Sequence, residues 1–255
     1  MDFTLSIYKT LLQTFLEKGY EFQPFAGFIQ APAGRVIILR HDVDRRPGNA
    51  LKTARLEHDL GIPASYYFRA VTESWDEAII RKIAGLGHEI GYHYENLSAC
   101  KGDEGCAWED FQANLAKLRE LSPVTTICMH GSPLSRINNL DLWQTRDYKA
   151  LGIVGEPYLD VDFTQVFYLT DTGRRWNHAG ASIRDRVDSG FDIRVNSTGH
   201  LMELAREGRL PEQVMINTHP QRWEDRVGHW VWELVWQNVK NAVKWGGVRL
   251  GVLAN

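Results

Sequence analysis

The stretch RVIILRHDVD, residues 35–44, decides the fold of this chain of 255 residues. Its first half, RVIIL, is an arginine followed by four apolar and mostly β-branched side chains, which predicts a buried strand. Its second half places the imidazole of His41 and the carboxylates of Asp42 and Asp44 directly after that strand. The strand therefore ends in groups that are able to bind a metal ion or to transfer a proton.

The same pattern, a short apolar strand followed by a segment with helical spacing, recurs along the chain. Further strands are predicted over 64–68, 88–92, 125–129 and 214–218, and helices over 47–60, 76–86, 108–121 and 198–207. Strands that alternate with helices at this spacing favour parallel βαβ units. Both an open doubly wound sheet and a barrel satisfy the pattern, and roughly seven units in one chain favour a (β/α) barrel, complete or incomplete.

The chain is predicted to form a single domain over 1–255, with a catalytic barrel core at 35–223. The lead-in 1–34 contains an amphipathic helix with the apolar residues Tyr8, Leu11, Leu12, Phe15 and Leu16. The segment 224–255 contains a long helix whose apolar positions are expected to pack on the barrel: Trp232, Val235, Trp236, Val239 and Val243. The middle of the chain is less regular, with extended stretches predicted at 166–170 and 191–195.

Composition excludes several classes of protein. The net charge of −3 provides no basic excess to neutralise a phosphate backbone, so no nucleic-acid partner is expected. No apolar run approaches the length of about 20 residues that a membrane span needs. The amino end lacks the pattern of a secretory signal, and an odd count of three cysteines argues against a disulfide framework. A cytoplasmic location is therefore expected.

Histidines follow three of the other predicted strands directly. His93 comes after the strand at 88–92, with Glu95 close behind it, His130 after the strand at 125–129, and His219 after the strand at 214–218. The carboxyl ends of parallel strands face one shared crevice, where the active sites of such folds lie. These side chains, distant in sequence, are therefore expected to meet the aspartates at the end of the first strand.

Carboxylate and imidazole together suit a divalent ion, most simply zinc, with iron, cobalt or manganese as alternatives. Three protein ligands that leave a coordination position open are typical of a catalytic rather than a structural site. Water at such an ion becomes a source of hydroxide near neutral pH. A hydrolase would also use a carboxylate as general base and an imidazole as general acid.

Several of these segments resemble motifs of one known family. They are HDVD at 41–44, GHEIGYHYENLS at 87–98, INTHPQRW at 216–223, and the connecting run at 49–69. They are similar to the polysaccharide deacetylase superfamily, the NodB-homology group or carbohydrate esterase family 4, and most similar to its O-antigen-cluster (WbmS-type) branch. The resemblance implies a distorted (β/α)7 barrel and metal-dependent removal of acetyl groups from N-acetylated sugars.

The resemblance also implies a metal-ligand set, which this chain matches unevenly. Asp42 corresponds to the catalytic base and Asp44 to a metal ligand, although a valine separates them and the reverse assignment is possible. His93 matches the first of two ligand histidines, but Leu97 stands where the second is expected. Our hypothesis is that His130 provides the third ligand, with Glu95 as the next candidate. The arginine of the family's third motif is absent at the expected strand end.

The remaining candidate residues surround the general acid, which the resemblance assigns to His219. Asp171 lies in a segment, 169–176, that loosely resembles the fourth motif, where it would orient a catalytic partner. Trp176 and Trp223 follow strand ends, where aromatic rings can stack on sugars. Together with Glu95, these three are the candidate residues on the substrate side of the site. His41 and His88 are expected to be structural.

The leading prediction is a metal-dependent N-deacetylase that acts on a sugar during synthesis of cell-surface polysaccharide such as O-antigen lipopolysaccharide. A cytoplasmic enzyme would meet this sugar as a nucleotide-sugar or as a lipid-linked glycan. One alternative is a C–N hydrolase of a small amide that is not a sugar. A second alternative, favoured by Leu97 and by the absent arginine, is a carbohydrate-binding or scaffold protein that has lost its metal.

Overall fold

A computed structural model describes residues 1–131, 135–176, 187, 189–235 and 238 of the chain. In this part of the chain, seven parallel strands form one sheet. They are Glu21–Gln23 (β1), Val36–Val43 (β2), Ser65–Phe68 (β3), Glu89–Tyr94 (β4), Ile127–Met129 (β5), Phe167–Thr170 (β6) and Gln213–Thr218 (β7).

Helices alternate with these strands, as the sequence predicts. They are Leu5–Glu17 (α1), Phe25–Gln30 (α2), Pro47–Asp59 (α3), Glu77–Gly85 (α4), Asn96–Ala99 (α5), Glu104–Arg119 (α6), Pro157–Asp160 (α7) and Thr198–Arg206 (α8). Short 3-10 helices are present at Asn139–Gln144, Lys149–Leu151, Thr172–Arg174 and Pro220–Arg222. None of the described helices combines the length and apolarity that crossing a bilayer requires.

The strands lie in the order β5-β4-β3-β2-β7-β6, and β1 pairs with the first half of β2. The seven parallel strands and the helices between them confirm the predicted single-domain α/β fold, a distorted (β/α)7 barrel. The barrel is incomplete, and the sheet forms a half-barrel. Among the described residues no strand pairing joins β5 to β6; instead Gly155 accepts a hydrogen bond from Ile127 at the β5 edge. The central strand, β2, has β3 and β7 as neighbours, which places its carboxyl end in the middle of the site.

Alternation along β2 separates its side chains into two cores. Val36 and Ile38 belong to an inner apolar cluster with Met215 of β7, whereas Ile37 and Leu39 belong to the larger cluster that packs against the helices. Successive side chains of a strand point to opposite faces. Even-numbered residues of β2, and therefore Asp42, face the interior of the half-barrel.

The stretch at 191–195, which is predicted to be extended, forms no strand in the described part of the chain. This segment pairs with no described strand, although Phe191 packs on Phe167 of β6 with ring centroids 5.5 Å apart. An extended stretch becomes part of a sheet only when a neighbouring strand accepts its hydrogen bonds, and the sequence pattern of one segment does not contain that information. The extended stretch predicted at 166–170, in contrast, is confirmed as β6.

The cysteine count argues against a disulfide framework, but the structure contains one disulfide. Cys100, at the end of α5, and Cys106, in α6, form a disulfide with their Cα atoms 6.0 Å apart. The turn between the helices brings them together because Lys101 and Gly102 both adopt positive φ angles, 54° and 91°. Disulfides are more typical of oxidising compartments, and the cytoplasmic location remains a prediction.

The described part of the terminal helix, 227–235, contacts the rest of the protein through Trp230 and Glu233. Arg45 donates two hydrogen bonds, of 2.7 and 2.8 Å, to the buried carboxylate of Glu233. Trp232 and Val235, predicted to be core residues, are 60% and 53% exposed, so that prediction is wrong for them. Helical periodicity identifies an apolar face but does not show whether another surface covers it. Trp236, Val239 and Val243 lie outside the described residues.

Candidate active site

A tight turn holds the two aspartates at the rim of the half-barrel. Asp42 is the second-last residue of β2, and the amide of Asp44 donates a hydrogen bond of 3.1 Å to its carbonyl. Arg46 then adopts a left-handed conformation (φ 55°), and Pro47 begins α3. Proline suits a first helical turn because its fixed φ matches the helix and it has no amide hydrogen to satisfy. The chain leaves the sheet at once, so both carboxylates stay at the strand end.

Asp44, His93 and His130 meet in one cluster, as the sequence predicts. Oδ1 of Asp44 lies 3.7 Å from Nε2 of His93 and 3.6 Å from Nε2 of His130. The ligand atoms of the three side chains all lie within 4.8 Å of one another. Separations of this size are those of atoms that could share one ion, since zinc binds imidazole nitrogen and carboxylate oxygen at about 2.0–2.2 Å.

Both imidazoles of the cluster are held by hydrogen bonds from their other nitrogen. Nδ1 of His93 lies 2.9 Å from the carbonyl oxygen of Cys128, and Nδ1 of His130 lies 2.9 Å from Oε2 of Glu95. Each acceptor fixes the hydrogen on Nδ1 and leaves the lone pair of Nε2 directed toward Asp44. Metal-binding histidines are almost always oriented in this way.

Glu95, the alternative third ligand, lies beside the cluster rather than in it. Its Oε1 accepts hydrogen bonds from Nε (2.9 Å) and Nη2 (2.5 Å) of Arg69, and its Oε2 accepts the one from His130. Burial raises the pKa of Glu95, but the hydrogen bonds and positive charges of His130 and Arg69 outweigh burial and lower it to about 2. The carboxylate therefore orients His130.

The electrostatics of the cluster suit a cation. Burial opposes ionisation of Asp44, but the neighbouring His219, His130 and His93 outweigh it and hold its pKa well below the ordinary value. Burial lowers the pKa of His93 to about 4. Within the part of the chain that the structure describes, Oδ1 of Asp44 is buried and has no hydrogen-bond partner. The ionised carboxylate of Asp44, whose Oδ1 accepts no hydrogen bond from the described residues, and the neutral imidazole of His93 are therefore suitable ligands for a divalent ion.

Asp42 lies behind this cluster, with Oδ2 3.9 Å from Nε2 of His93. The same oxygen accepts hydrogen bonds from Nη2 of Arg40 (3.0 Å) and from Nδ2 of Asn217 (2.8 Å). Arg40 and Asn217 are register partners in β2 and β7, and Arg40 shares a face of β2 with Asp42. Sequence reasoning missed both partners, although the spacing of two residues between Arg40 and Asp42 was a usable signal.

The proposed general acid, His219, is fixed by a buried carboxylate. Nδ1 of His219 lies 2.6 Å from Oδ1 of Asp171, and the other oxygen of Asp171 accepts hydrogen bonds from the His219 amide and from Nε1 of Trp223. Burial and the charge of Arg222 lower the pKa of His219, but Asp171 and Asp44 outweigh them, so its pKa is raised. The Nε2 atom lies 3.8 Å from Oδ2 of Asp44.

The residues predicted to contact substrate are mostly buried. Trp176 and Trp223 are each 1% exposed, so the prediction that their rings stack on a sugar is wrong. Their indole nitrogens donate inside the protein instead, to Thr198 and to Asp171. Asp171 has no exposed surface and acts on His219, which is the orienting role that the motif implies. A strand end marks the rim of a barrel, but the connecting loops decide which rim residues reach solvent.

His41 lies on the opposite face of the sheet, as alternation along β2 predicts. His88, directly before β4, is buried away from the site, with Nε2 2.9 Å from the carbonyl oxygen of Ala54. His41 contacts the buried carboxylate of Glu57 through Nε2 at 2.8 Å and Thr218 through Nδ1 at 2.6 Å. Tyr8 of α1 also donates a hydrogen bond of 2.5 Å to Glu57. This cluster joins β2 to the helices and contributes no ligand to the site.

Comparison with known proteins finds similarity only among solved structures. The sequence matches no protein family and no curated protein. The chain is similar to the Xyl-CE4 domain of a multidomain xylanase from the hindgut metagenome of Trinervitermes trinervoides, with 11% identity, a TM-score of 0.41, and 82% of this chain and 85% of that chain covered. It is similar to a Streptococcus mutans CE4 esterase, with 12% identity, a TM-score of 0.46 and 89% of each chain covered. It is also similar to a mutant of the peptidoglycan deacetylase PdaC from Bacillus subtilis, with 14% identity, a TM-score of 0.38, and 84% and 98% covered.

Proposed function

We propose that this protein is a metal-dependent hydrolase that removes an N-acetyl group from a sugar. The observation that carries the proposal is the convergence of two imidazole Nε2 atoms, from His93 and His130, on the unsatisfied Oδ1 of Asp44. A carboxylate and an imidazole suited to acid–base catalysis, those of Asp42 and His219, lie next to this cluster.

Asp44, His93 and His130 would hold one divalent ion, most simply zinc. When bound, such an ion supplies Lewis acidity for the amide carbonyl and lowers the pKa of water. The hydrogen bonds from the two Nδ1 atoms keep both imidazoles in the tautomer that a metal requires.

Asp42 acts as the general base. Its carboxylate takes a proton from the attacking water as the oxygen of that water bonds to the amide carbon. Arg40 and Asn217 both donate to Oδ2, which fixes the plane of the carboxylate. A positioned base of this kind typically contributes about 10²- to 10⁴-fold to the rate.

His219 acts as the general acid. When the C–N bond breaks, the departing amine nitrogen takes the proton from Nε2 of His219, and the products are acetate and the free amino sugar. Asp171 accepts the hydrogen bond from Nδ1, which leaves Nε2 as the atom that donates. The raised pKa of His219 keeps the protonated form populated at higher pH.

The substrate that we propose is an acetamido sugar of cell-surface polysaccharide synthesis, such as O-antigen lipopolysaccharide. In a cytoplasmic setting this sugar would be a nucleotide-sugar or part of a lipid-linked glycan. Support for this finer assignment comes from the sequence motifs at 41–44, 87–98 and 216–223, which resemble the O-antigen-cluster branch of the polysaccharide deacetylases.

The test combines metal analysis with an activity screen. Protein purified without chelator is analysed for bound metal, and acetate release is measured with a panel of acetamido sugars, free and nucleotide-linked. We expect about one ion per chain and acetate release from at least one sugar. Asp44→Ala and His93→Ala should lose both, whereas His58→Ala, which removes an exposed histidine of α3, should lose neither.

Two results would overturn the proposal in different ways. Bound metal with hydrolysis of small amides but of no acetamido sugar would point to a C–N hydrolase of another substrate. Absence of metal from every preparation, including protein supplied with zinc during purification, would point to a binding or scaffold protein.

A further inference from the structure

Two groups of potential metal ligands share one histidine. The outer group is Asp44, His93 and His130, and the inner group is Asp42, His93 and Cys128. All three residues of the inner group are buried, and Cys128 is the register partner of His93 in β5. In each group the ligand atoms lie within 4.8 Å of one another.

The two groups compete for a single nitrogen. Nδ1 of His93 is hydrogen-bonded to the carbonyl oxygen of Cys128, so only Nε2 is available for a metal ion. That atom lies 3.7 Å from Oδ1 of Asp44 and 3.9 Å from Oδ2 of Asp42. An ion on His93 therefore has an aspartate at nearly equal distance on either side, and distance alone does not select one.

Ligand chemistry by itself favours the inner group for zinc and cobalt. It contains a thiol as well as an imidazole and a carboxylate, and thiolate binds these ions more strongly than an oxygen ligand does. Burial would strengthen the attraction further, because charges interact more strongly away from water. Some feature of the inner position must oppose these effects if the ion is to bind at Asp44.

Arg40 is that feature. Its guanidinium is fully buried, and Nη2 donates a hydrogen bond of 3.0 Å to the same Oδ2 of Asp42 that faces His93. Burial lowers the pKa of Arg40, but Asp42 and then Cys128 outweigh burial, so its pKa is raised and the side chain stays charged. Asn217 donates to the same oxygen at 2.8 Å. An ion in the inner group would have to bind against a fixed positive charge and replace donated hydrogen bonds.

We propose that Arg40 excludes the metal ion from the inner group and so decides that Asp44, not Asp42, is the carboxylate ligand. Arg40 is a positioning residue in this role, since it acts through Asp42. The consequence, which rests on the proposed function, is that the Asp42 carboxylate stays available to accept a proton. The exclusion itself concerns metal binding alone and holds whether or not the protein releases acetate.

The test uses cobalt, because a thiolate ligand gives bound Co²⁺ a charge-transfer absorption band in the near ultraviolet. We expect the full-length wild-type protein to bind Co²⁺ without this band and to lose binding on Asp44→Ala. Arg40→Met, which keeps the length of the side chain and removes the charge, should gain the band. The double variant Arg40→Met/Cys128→Ser should lose the band again, and Arg40→Lys, which restores a positive charge, should resemble the wild type.

A second measurement keeps the proposal falsifiable if the Arg40 variants fail to fold. Cys128→Ser alone should leave Co²⁺ affinity unchanged, and cadmium NMR of the wild-type protein should show no thiolate ligand. A thiolate absorption band or a thiolate-type cadmium chemical shift in the wild-type protein would overturn the proposal. So would a folded Arg40→Met variant that has the Co²⁺ spectrum of the wild type and still needs Asp44 to bind Co²⁺. Such results would leave the deacetylase proposal in place, whereas absence of all metal binding would end both.

Discussion

Oε2 of Glu95 lies 2.9 Å from Nδ1 of His130, and Oε1 of the same carboxylate is held by Arg69. Through this contact Glu95 orients the imidazole of His130, whose Nε2 atom lies 3.6 Å from Oδ1 of Asp44 in the proposed metal site. Our proposal therefore assigns to Glu95, which the sequence suggested as an alternative ligand, the role of supporting His130 instead.

Replacing Glu95 with alanine should weaken metal binding without abolishing it. His130 would lose the acceptor that fixes its tautomer, and loss of such a partner typically costs about 10- to 100-fold in metal affinity. Competition titration of zinc against a chromophoric chelator measures this change, with Glu73→Ala, an exposed carboxylate, as the control. If Glu95→Ala removed zinc as completely as Asp44→Ala, Glu95 would be a ligand and our assignment of His130 would be wrong.

Replacing Asp171 with asparagine should lower kcat and shift its pH dependence. A general acid must be protonated, so activity falls as pH rises through the pKa of His219. The carboxylate of Asp171 helps to raise that pKa, so its removal should move the alkaline fall of kcat to lower pH. The rate at neutral pH should fall by about 10²- to 10⁴-fold, the range typical of one acid–base group.

Metal content separates this effect from damage to the neighbouring ligands. Asp171→Asn should keep its bound ion, since Asp171 is not part of the outer group. An unchanged alkaline limb in a folded, metal-loaded Asp171→Asn variant would show that His219 is not the group whose proton is transferred.

Gly91 should tolerate no side chain. A Cβ at this position of β4 would overlap the ring of Tyr67 and lie 3.2 Å from the carbonyl oxygen of Thr126. Gly91→Ala should therefore lower the free energy of unfolding by about 1–3 kcal/mol, the usual cost of overpacking. Gly85→Ala is the matched control: it lies in α4 with no atom near the new methyl group, and should be neutral or stabilising by up to about 1 kcal/mol. Urea denaturation measures the free energy of unfolding of both variants. Equal values for Gly91→Ala and Gly85→Ala would contradict the packing argument.

Glu156 should make the wild-type protein less stable as pH rises. It is fully buried where it caps α7, and burial raises its pKa from 4.5 to about 7. Above pH 4.5 the unfolded chain releases this proton while the folded protein keeps it, so stability falls with rising pH until the folded pKa is passed. The loss is about 3.5 kcal/mol at most, because the pKa rises by about 2.5 units at about 1.4 kcal/mol per unit.

Glu156→Gln removes the titrating group and should flatten this dependence. The free energy of unfolding is measured by urea denaturation at several pH values between about 5 and 8. For Glu156→Gln it should change less steeply with pH than it does for the wild type. Glu207→Gln, which changes an exposed carboxylate, should run parallel to the wild type. Parallel curves for Glu156→Gln as well would show that Glu156 is ionised throughout this range.

Two local properties of the sequence were sufficient to predict the fold and the central residues of the site. The first is period: the run at 35–39 and its counterparts alternate with helical spacing, and parallel βαβ units are the arrangement that buries both kinds of element. The second is position: Asp44, His93 and His130 each follow a strand, and parallel strands bring their carboxyl ends to one rim. Both properties depend on backbone geometry that is the same in every chain, so they can be read without coordinates.

Only the tertiary structure decided which side chains contact one another across strands. The pairing of Asn217 with Asp42, the support of His130 by Glu95, the burial of Trp223 and the disulfide of Cys100 depend on strand order, register and loop paths. These features are set by packing between segments far apart in sequence, where no local periodicity constrains them. Arg40 lies between the two cases. Its spacing from Asp42 is local, but its complete burial depends on β7, on Tyr168 of β6 and on Tyr158 of α7, which come from distant parts of the sequence.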